Sequence, residues 1–219
     1  RTTILVLGIA QLVSWGALYY SFSSFVQPMQ QALGWSQPTL MGAFTVGLAM
    51  WGLGSYGVGA AIDRGHGRAV MTLGSGCAGV GFLLWSQVQS PWMLYVTWAM
   101  LGLAMAMTLY EPAFIVLTRR YPERYRDGIT ALTLIGGFAS TVAFPINAVL
   151  LAYLDWRAAL MVIGAALLVF IVPLHAWVLR GSGALVKAAP PSVVSAQGAD
   201  RPAIRAAFTL AEALRHASF

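Results

Sequence analysis

Long apolar stretches separated by short polar segments dominate the chain up to about residue 180. A helix needs about 20 apolar residues to cross the hydrocarbon core of a bilayer. Six stretches reach that length, at about 4–27, 38–62, 69–87, 92–118, 129–154 and 156–179. Backbone inside lipid must satisfy its own hydrogen bonds, which an α-helix does within one segment. The pattern therefore predicts an all-α membrane protein, with six transmembrane helices in residues 1–180.

The composition of the chain is that of a membrane protein. Its 219 residues are 58% hydrophobic and 9% charged, whereas soluble domains carry about 25% charged residues. The net charge of +6 could indicate a nucleic-acid partner. However, the basic residues lie in short segments between apolar stretches, as they do in membrane proteins. We therefore expect the lipid bilayer as a partner, and no nucleic acid.

Basic residues are concentrated on one side of the predicted topology. Eleven of the thirteen Lys and Arg residues lie in the turn at 63–68, the loop at 118–128 and the tail from residue 180, whereas the opposite loops hold only Arg157. Cytoplasmic segments of membrane proteins are enriched in Lys and Arg. The pattern predicts that both termini are cytoplasmic.

The turn between the second and third stretches reads Gly59-Ala-Ala-Ile-Asp63-Arg64-Gly65-His66-Gly67-Arg68. Its first glycine allows a neighbouring backbone to approach closely, and Gly65 and Gly67 permit positive φ angles. We expect Asp63 to pair with Arg64, with Arg68 or with a helix end of another bundle. Such a pair would stabilise one of two conformations, which makes the turn a candidate switch.

Polar side chains recur at helical spacing inside three of the stretches. The candidates for lining a cavity are Gln11, Ser14, Tyr20 and Ser21 in the first stretch, Thr108 and Glu111 in the fourth, and Ser140 and Asn147 in the fifth. Hydroxyls in membrane helices also bond to their own backbone or to a neighbouring helix, so both roles are open. Asn147 needs partners in a cavity or a helix contact, and Pro145 predicts a kink nearby.

Glu111 is the only acidic residue well inside a predicted span, and Pro112 follows it. Because Pro112 has no N–H, the carbonyl of Thr108 loses its helical donor and a kink is expected. A carboxylate at mid-membrane costs about 2.5–3.5 kcal/mol, so Glu111 should face a cavity, pair with a cation or be protonated. Two roles are open: a proton or substrate contact, or an anchor tied to the basic loop at 119–126.

Residues that would indicate an enzyme are sparse. The sequence shows no catalytic pair and no cluster of metal ligands, so we expect no enzyme activity, metal or cofactor. The stretch 73–76 reads Leu-Gly-Ser-Gly and lacks the Gly-x-Ser-Gly pattern of intramembrane serine proteases. His175, near the end of the sixth stretch, is expected to be a solvated end residue.

The composition changes beyond residue 180. Residues 181–207 contain Pro190-Pro191 and predict a flexible cytoplasmic linker. Thr209-Leu-Ala-Glu212 is a capping box that predicts an amphipathic helix over 208–219. Because the chain begins with Arg1 and ends where a new apolar element would start, we expect a longer protein with a second six-helix half.

Together these features resemble the amino-terminal half of a major facilitator superfamily transporter. The superfamily's G-x-x-x-D-R-x-G-R-R turn is matched by type at Gly59, Asp63, Arg64, Gly67 and Arg68, with the second glycine one residue late. Gly34-Trp35-Ser36, the segment 110–114 and Gly137-Phe-Ala-Ser-Thr141 are most similar to the bacterial monocarboxylate-transporter-like branch. The resemblance implies an inner-membrane protein in which helices 1 and 4 line a cavity, 2 and 5 meet a second bundle, and 3 and 6 face lipid.

The resemblance implies a secondary active transporter of a small solute, with an organic anion such as a monocarboxylate as the expected class. The alternative is a six-helix subunit or a self-assembling half-transporter without independent transport. No Lys or Arg lies well inside the six stretches, so an anionic substrate would find its charge partner in a second half of the protein.

Overall fold

The structure, a computed structural model, describes residues 2–121, 123 and 125–180. Helix is the only regular secondary structure in this part of the chain. Within it, the helices long and apolar enough to span a membrane are α1 (Thr3–Leu33), α2 (Gln37–Ser86), α3 (Pro91–Arg119), α4 (Tyr125–Tyr153) and α5 (Trp156–Val178). The prediction of an all-α protein with long apolar helices is confirmed, with five such helices in the described residues where the sequence predicted six. The predicted linker at 181–207 and amphipathic helix at 208–219 lie outside the described residues.

α2 differs from the other four helices in its length and in a break near its middle. Its 50 residues would extend about 75 Å if straight, more than twice the thickness of a hydrocarbon core. The break lies at Gly65, whose φ of 94° is in the left-handed region that glycine adopts without steric penalty. It divides α2 into a first arm, Gln37–Ala61, and a second arm, Gly67–Ser86, joined by Ile62–His66.

The two arms of α2 pack against the same helix, α3, in opposite directions. The neighbours that establish this are Gly47 beside Trp98 and Gly54 beside Leu103 for the first arm, and Gly74 beside Met107 and Gly81 beside Leu101 for the second arm. These contacts show that the first arm runs parallel to α3 and that the second arm runs antiparallel to it. The chain therefore reverses its direction at the turn around Gly65.

Side-chain caps begin three of these helices. Ser36, Ser90 and Asp155 each accept a hydrogen bond from the backbone N–H three residues later, at 3.3, 3.4 and 2.6 Å. Serine and aspartate are favoured at this position because they satisfy a backbone donor that has no partner within the helix. The starts predicted near residues 38, 92 and 156 agree with these caps.

The other four long helices are each interrupted. Their segments are Thr2–Trp15, Gly16–Tyr20 (π-helical) and Ser21–Leu33 in α1; Pro91–Thr108 and Tyr110–Arg120 in α3; Tyr125–Gly137 and Ala139–Tyr153 in α4; and Trp156–Ala166, Leu167–Ile171 (π-helical) and Val172–Val178 in α5. The kink predicted at Pro112 is present as a break at Leu109, where ψ is −155°. Pro145 lies inside a continuous segment, and the break of α4 falls earlier, at Phe138.

Aromatic side chains fill the core between α1, α2 and α3. Trp85 and Trp98 are fully buried, with ring centroids 5.0 Å apart. Phe22 meets Trp98 edge-on at 4.7 Å and stacks on Phe44 at 4.7 Å. Such pairs each contribute about 0.5–1.5 kcal/mol beyond the area they bury. Because lipid tails are as apolar as these side chains, close packing is what holds the helices together.

Glycines allow close contact at two helix crossings. Gly102 of α3 lies against the backbone carbonyl of Gly47, so that a Cβ on Gly102 would overlap that carbonyl. A Cβ on Gly164 of α5 would lie 2.9 Å from the carbonyl oxygen of Gly79 in the second arm of α2. The close approach predicted at Gly59 is absent from the described part of the chain, where no atom lies within 4 Å of the Cβ position.

Candidate binding site at the break in α3

A side chain of α1 supplies hydrogen bonds to the break in α3. Gln11 is fully buried, and its Nε2 donates to the backbone carbonyl oxygens of Thr108 at 2.7 Å and Leu109 at 3.2 Å. In a regular helix the Thr108 carbonyl would accept from the N–H of residue 112, but that residue is Pro112 and has none. Gln11 thus replaces a donor that the sequence of α3 lacks.

Four aromatic residues, Trp15, Tyr19, Trp51 and Tyr110, form a cluster beside this break and are called the aromatic cluster below. The ring centroid of Trp15 lies 4.9 Å from that of Tyr110, 5.5 Å from that of Tyr19 and 5.6 Å from that of Trp51. All four side chains are partly exposed. Because Trp15 follows Gln11 by four residues, the two share one face of α1. The cluster joins α1, the first arm of α2 and α3.

Two buried polar atoms at this site have no hydrogen-bond partner among the described residues. They are Oε1 of Gln11, an acceptor, and Nε1 of Trp15, a donor. An unpaired buried polar group costs about 1–3 kcal/mol, so native proteins rarely leave one without a purpose. Neither atom has accessible surface in the described structure, which holds three further buried atoms of this kind: Oγ1 of Thr72, Nε1 of Trp98 and Nε2 of His175.

The π-helical segment Gly16–Tyr20 lies next to the aromatic cluster. The hydroxyl of Ser21 donates to the carbonyl oxygen of Gly16 at 3.0 Å and accepts from Nδ2 of Asn147 at 3.1 Å. Nδ2 of Asn147 also donates to Ser24 at 3.3 Å. These bonds tie the segment to α4, and they give Asn147 the helix contact that the sequence predicted. Single π-helical turns are frequent at functional sites.

The remaining candidate cavity-lining residues lie in different surroundings. Ser14 and Thr108 are buried, whereas Tyr20 and Ser140 are half-buried. Ser21 and Asn147 supply the polar groups of an otherwise apolar pocket of about 240 Å³ between α1, α4 and α5. Thr108 is bonded by its hydroxyl to the carbonyl of Ala104 at 2.6 Å. For these residues, lining of a substrate cavity stays a prediction.

Glu111 lies on the exposed face of the segment Tyr110–Arg120. Within the part of the chain that the structure describes, its carboxylate makes no hydrogen bond and no ion pair. One sequence interpretation tied Glu111 to the basic loop at 119–126. Arg119 of that loop pairs with Asp63, whereas the side chains of Arg120 and Arg124 lie outside the described residues. Both roles of Glu111, the anchor and the proton or substrate contact, therefore stay predictions.

The turn of α2 is joined to the end of α3 through Asp63 and Arg119. Nη2 of Arg119 lies 2.6 Å from Oδ1 of Asp63, and Nη1 donates to the backbone carbonyl of Asp63 at 2.9 Å. The partners predicted for Asp63 were Arg64, Arg68 or a helix end of another bundle. Among the described residues Asp63 pairs with Arg119 instead of Arg64 or Arg68, and a contact with another bundle stays a prediction. The reason is topological: both arms of α2 pack on α3, which brings the end of α3 to the turn.

The two central glycines of this turn have different roles. Gly65 has the predicted positive φ, whereas Gly67 has a φ of −52° and begins the second arm of α2. A Cβ on Gly67 would lie 2.7 Å from Cγ2 of Val116. Gly67 therefore allows close packing on α3, and the positive φ predicted for it is absent.

Ser75 and His175, on the second arm of α2 and on α5, are hydrogen-bonded in the interior. Oγ of Ser75 lies 2.7 Å from Nδ1 of His175 and donates to the carbonyl of Met71 at 2.9 Å. Because the hydroxyl has one proton, this network assigns the donor role toward Ser75 to Nδ1 of His175. His175 is fully buried, so the prediction of a solvated end residue is wrong. The pair joins the second arm of α2 to α5.

Residues 7–218 match the sequence pattern of the Major Facilitator Superfamily. The match covers most of the chain's 219 residues. The chain belongs to the Major Facilitator Superfamily. Members of this superfamily are membrane transporters rather than enzymes, in agreement with the long apolar helices described above. No curated protein matches the chain.

Sequence reasoning missed two features of this superfamily chain, the aromatic cluster and the role of Arg119. A signal existed for the cluster, because Trp15 lies one helical turn from Gln11 and Tyr110 directly precedes Glu111. A signal also existed for Arg119, since it lies on the same predicted side of the membrane as Asp63. Neither signal identifies the partner without the packing of α1 and α2 on α3.

Proposed function

We propose that this superfamily chain is part of a secondary active transporter that moves a small solute across a bacterial inner membrane by alternating access. The observation that carries the proposal is the match of residues 7–218 to the superfamily. In alternating access, two helix bundles rock around a site near the middle of the membrane. The partly exposed aromatic cluster and the exposed Glu111 support a ligand site near the break in α3.

We also propose that each arm of α2 crosses the membrane, which gives six crossings with both termini in the cytoplasm. The reversal at Gly65 and the basic residues at 63–68 and 118–128 support this topology. Reporter fusions after Arg68, Arg126 and Arg180 should read cytoplasmic, and a fusion after Trp35 should read external. A cytoplasmic signal at Trp35 would overturn the six-crossing topology.

A second six-helix bundle is the proposed neighbour of the first arm of α2 and of α4. Three glycines of the arm, Gly52, Gly57 and Gly59, have no atom within 4 Å of the Cβ position, and the side chains of Leu53 and Tyr56 beside them are each 74% exposed. Small residues let a partner helix approach closely. Gly57→Leu should therefore leave the detergent-purified protein folded and reduce transport. Unchanged uptake would remove this face from the proposed interface.

The nature of the solute is constrained by the charges of the described chain. The resemblance to the monocarboxylate-transporter-like branch implies an organic anion. The described Lys and Arg residues lie at helix ends or in loops, so an anionic solute would have to obtain its cation from a second bundle.

Transport by the full-length protein in liposomes tests the proposal. Uptake of a labelled panel of substituted ammonium compounds, sugars and monocarboxylates should show at least one solute that accumulates when a proton or solute gradient is applied. If Glu111 carries protons, Glu111→Gln should abolish accumulation driven by pH and retain solute exchange. Glu123→Gln, an exposed carboxylate outside the site, is the matched control. Absence of uptake for the whole panel would contradict the transport function.

A further inference from the structure

The apolar pocket between α1, α4 and α5 has a volume of about 240 Å³ and a floor of small residues. Gly16 and Ala17 of α1 and Ala139 and Ala143 of α4 line it, and all four are buried. Among the described residues that line the pocket, none is charged. The ligands that fit such a lining are neutral and apolar.

Water finds few partners in this pocket. Its polar side chains are Ser21 and Asn147, which are already bonded. Nδ2 of Asn147 donates to Ser21 and Ser24, and the hydroxyl of Ser21 donates to the carbonyl oxygen of Gly16. A buried water needs about two to four polar partners, and apolar cavities of about 150 Å³ stay dry and take up small apolar molecules instead. The larger volume of this pocket therefore favours an apolar occupant.

The mouth of the pocket opens inside the membrane-spanning helices. Ile146 of α4 and Val162 of α5 line the pocket and are 52% and 46% exposed. Each lies about 10 Å along its helix from the short connection between α4 and α5. α5 has the highest mean hydropathy of the five long helices, 2.4, and no polar side chain between residues 158 and 174. A surface of this composition at this depth meets the hydrocarbon of the bilayer.

The pocket is elongated along the helices. Its lining extends from Leu12 to Ser21 on α1 and from Ala139 to Leu150 on α4, which corresponds to about 14 and 17 Å of helix. If a methylene group takes up about as much room as a water molecule in the liquid, about 30 Å³, the pocket holds roughly eight methylenes. Spread over that length, this volume favours a single linear chain over a fused-ring molecule.

We propose that the pocket binds one acyl chain of a bilayer phospholipid, which enters between α4 and α5 with its methyl end first. The chain supplies packing contacts to side chains that would otherwise have no neighbour on one side. The ester and the head group stay outside, because the lining has no free polar group to receive them. The lipid is thus a structural ligand of α1, α4 and α5, separate from any transported solute.

The test uses phosphatidylethanolamine with a photoactivatable diazirine near the methyl end of one acyl chain, in nanodiscs that hold the purified full-length protein. Mass spectrometry locates the cross-links. Any surrounding lipid can reach strongly exposed residues such as Val169 and Phe170, whereas only a chain inside the pocket can reach Ala139 and Asn147, which are 0% and 2% exposed. Cross-links are expected at both pairs of residues. A diazirine placed beside the ester should label Val169 and Phe170 and leave Ala139 and Asn147 unlabelled.

Two adjacent alanines of α5 provide a variant and its matched control. Ala166 lines the pocket, so Ala166→Phe places a ring in the space of the chain and should reduce cross-linking at Ala139 and Asn147 by about tenfold or more. Ala165 is exposed and does not line the pocket, so Ala165→Phe should leave this cross-linking unchanged. Ala166→Leu fills less of the pocket, should give a smaller reduction, and serves if the phenylalanine variant does not fold.

Three results would overturn the inference. The first is labelling of Val169 and Phe170 without labelling of Ala139 and Asn147 in the unmodified protein. The second is equal labelling of Ala139 and Asn147 with and without the substitutions at Ala166. The third is absence of label from Ile146 and Val162 at the mouth, which would show that another part of the protein covers it. None of these results bears on the transport function, which is tested separately by uptake.

Discussion

Replacing Gln11 with leucine removes the donor that α1 supplies to the break in α3. Two backbone carbonyls, those of Thr108 and Leu109, accept from Gln11 at 2.7 and 3.2 Å. A buried carbonyl left unpaired costs about 1–3 kcal/mol, while hydrogen bonds between membrane helices average about 0.6 kcal/mol. Loss of the unpaired Oε1 offsets part of the cost. We expect Gln11→Leu to lower the free energy of unfolding by about 1–2 kcal/mol.

A second substitution shows whether the cost comes from these carbonyls. Pro112→Ala restores an N–H at residue 112, so the Thr108 carbonyl gains a donor from its own helix. In that background Gln11→Leu should cost about 0.5–1 kcal/mol less, because only the Leu109 carbonyl still depends on Gln11.

Equilibrium unfolding by SDS in mixed micelles measures all four combinations in the purified full-length protein. Gln31→Leu, an exposed glutamine at the far end of α1, is the control and should change the free energy by less than about 0.5 kcal/mol. Equal costs of Gln11→Leu with and without Pro112 would refute the reasoning, because the glutamine would then stabilise α3 by some other contact.

Three further predictions follow from contacts at helix crossings and ends. Gly102→Ala should destabilise the detergent-solubilised protein by about 2 kcal/mol or more, because the new Cβ would overlap a backbone carbonyl. Gly52→Ala is the control: no atom lies within 4 Å of that Cβ position, so the melting temperature of the protein should not change. Arg157→Ala removes a guanidinium that donates to two carbonyls and lies 4.3 Å from the ring centroid of the preceding tryptophan. Thermal unfolding should show that this variant loses about 1–2 kcal/mol of stability, and Arg157→Lys should recover part of the loss. Asp63→Asn should reduce transport while membrane insertion stays normal. It should lower the stability by less than about 1 kcal/mol, because the pair with Arg119 is partly exposed. Normal uptake kinetics in this variant would show that the turn has no switching role.

The elements that sequence predicted well are those set by local chemistry. Apolar length located the long helices, because it is a property of one continuous segment. The caps Ser36, Ser90 and Asp155 were not predicted, although each bonds only three residues along the chain. The break near Pro112 was predictable for the same reason, as a proline removes a donor at a known spacing.

The contacts that sequence did not predict join residues far apart in the chain. Gln11 and Thr108 are 97 residues apart, and Ser75 and His175 are 100 apart. Helical periodicity indicates which face of a helix is polar, but it gives no information on which other helix covers that face. His175 was expected in solvent for this reason, and the packing of α5 on the second arm of α2 buries it.

The helical segment Tyr110–Arg120 connects the aromatic cluster to the charged turn of α2. It is a continuous helix of 11 residues, so its ends keep a fixed separation, with Tyr110 and Arg119 about 14 Å apart along the axis. At one end of the segment Tyr110 packs on Trp15, and at the other end Arg119 forms an ion pair with Asp63 in the turn of α2. At Leu109 the segment meets the rest of α3 at a break whose carbonyls accept from Gln11. We therefore expect a displacement of Tyr110 to move the charged turn with it.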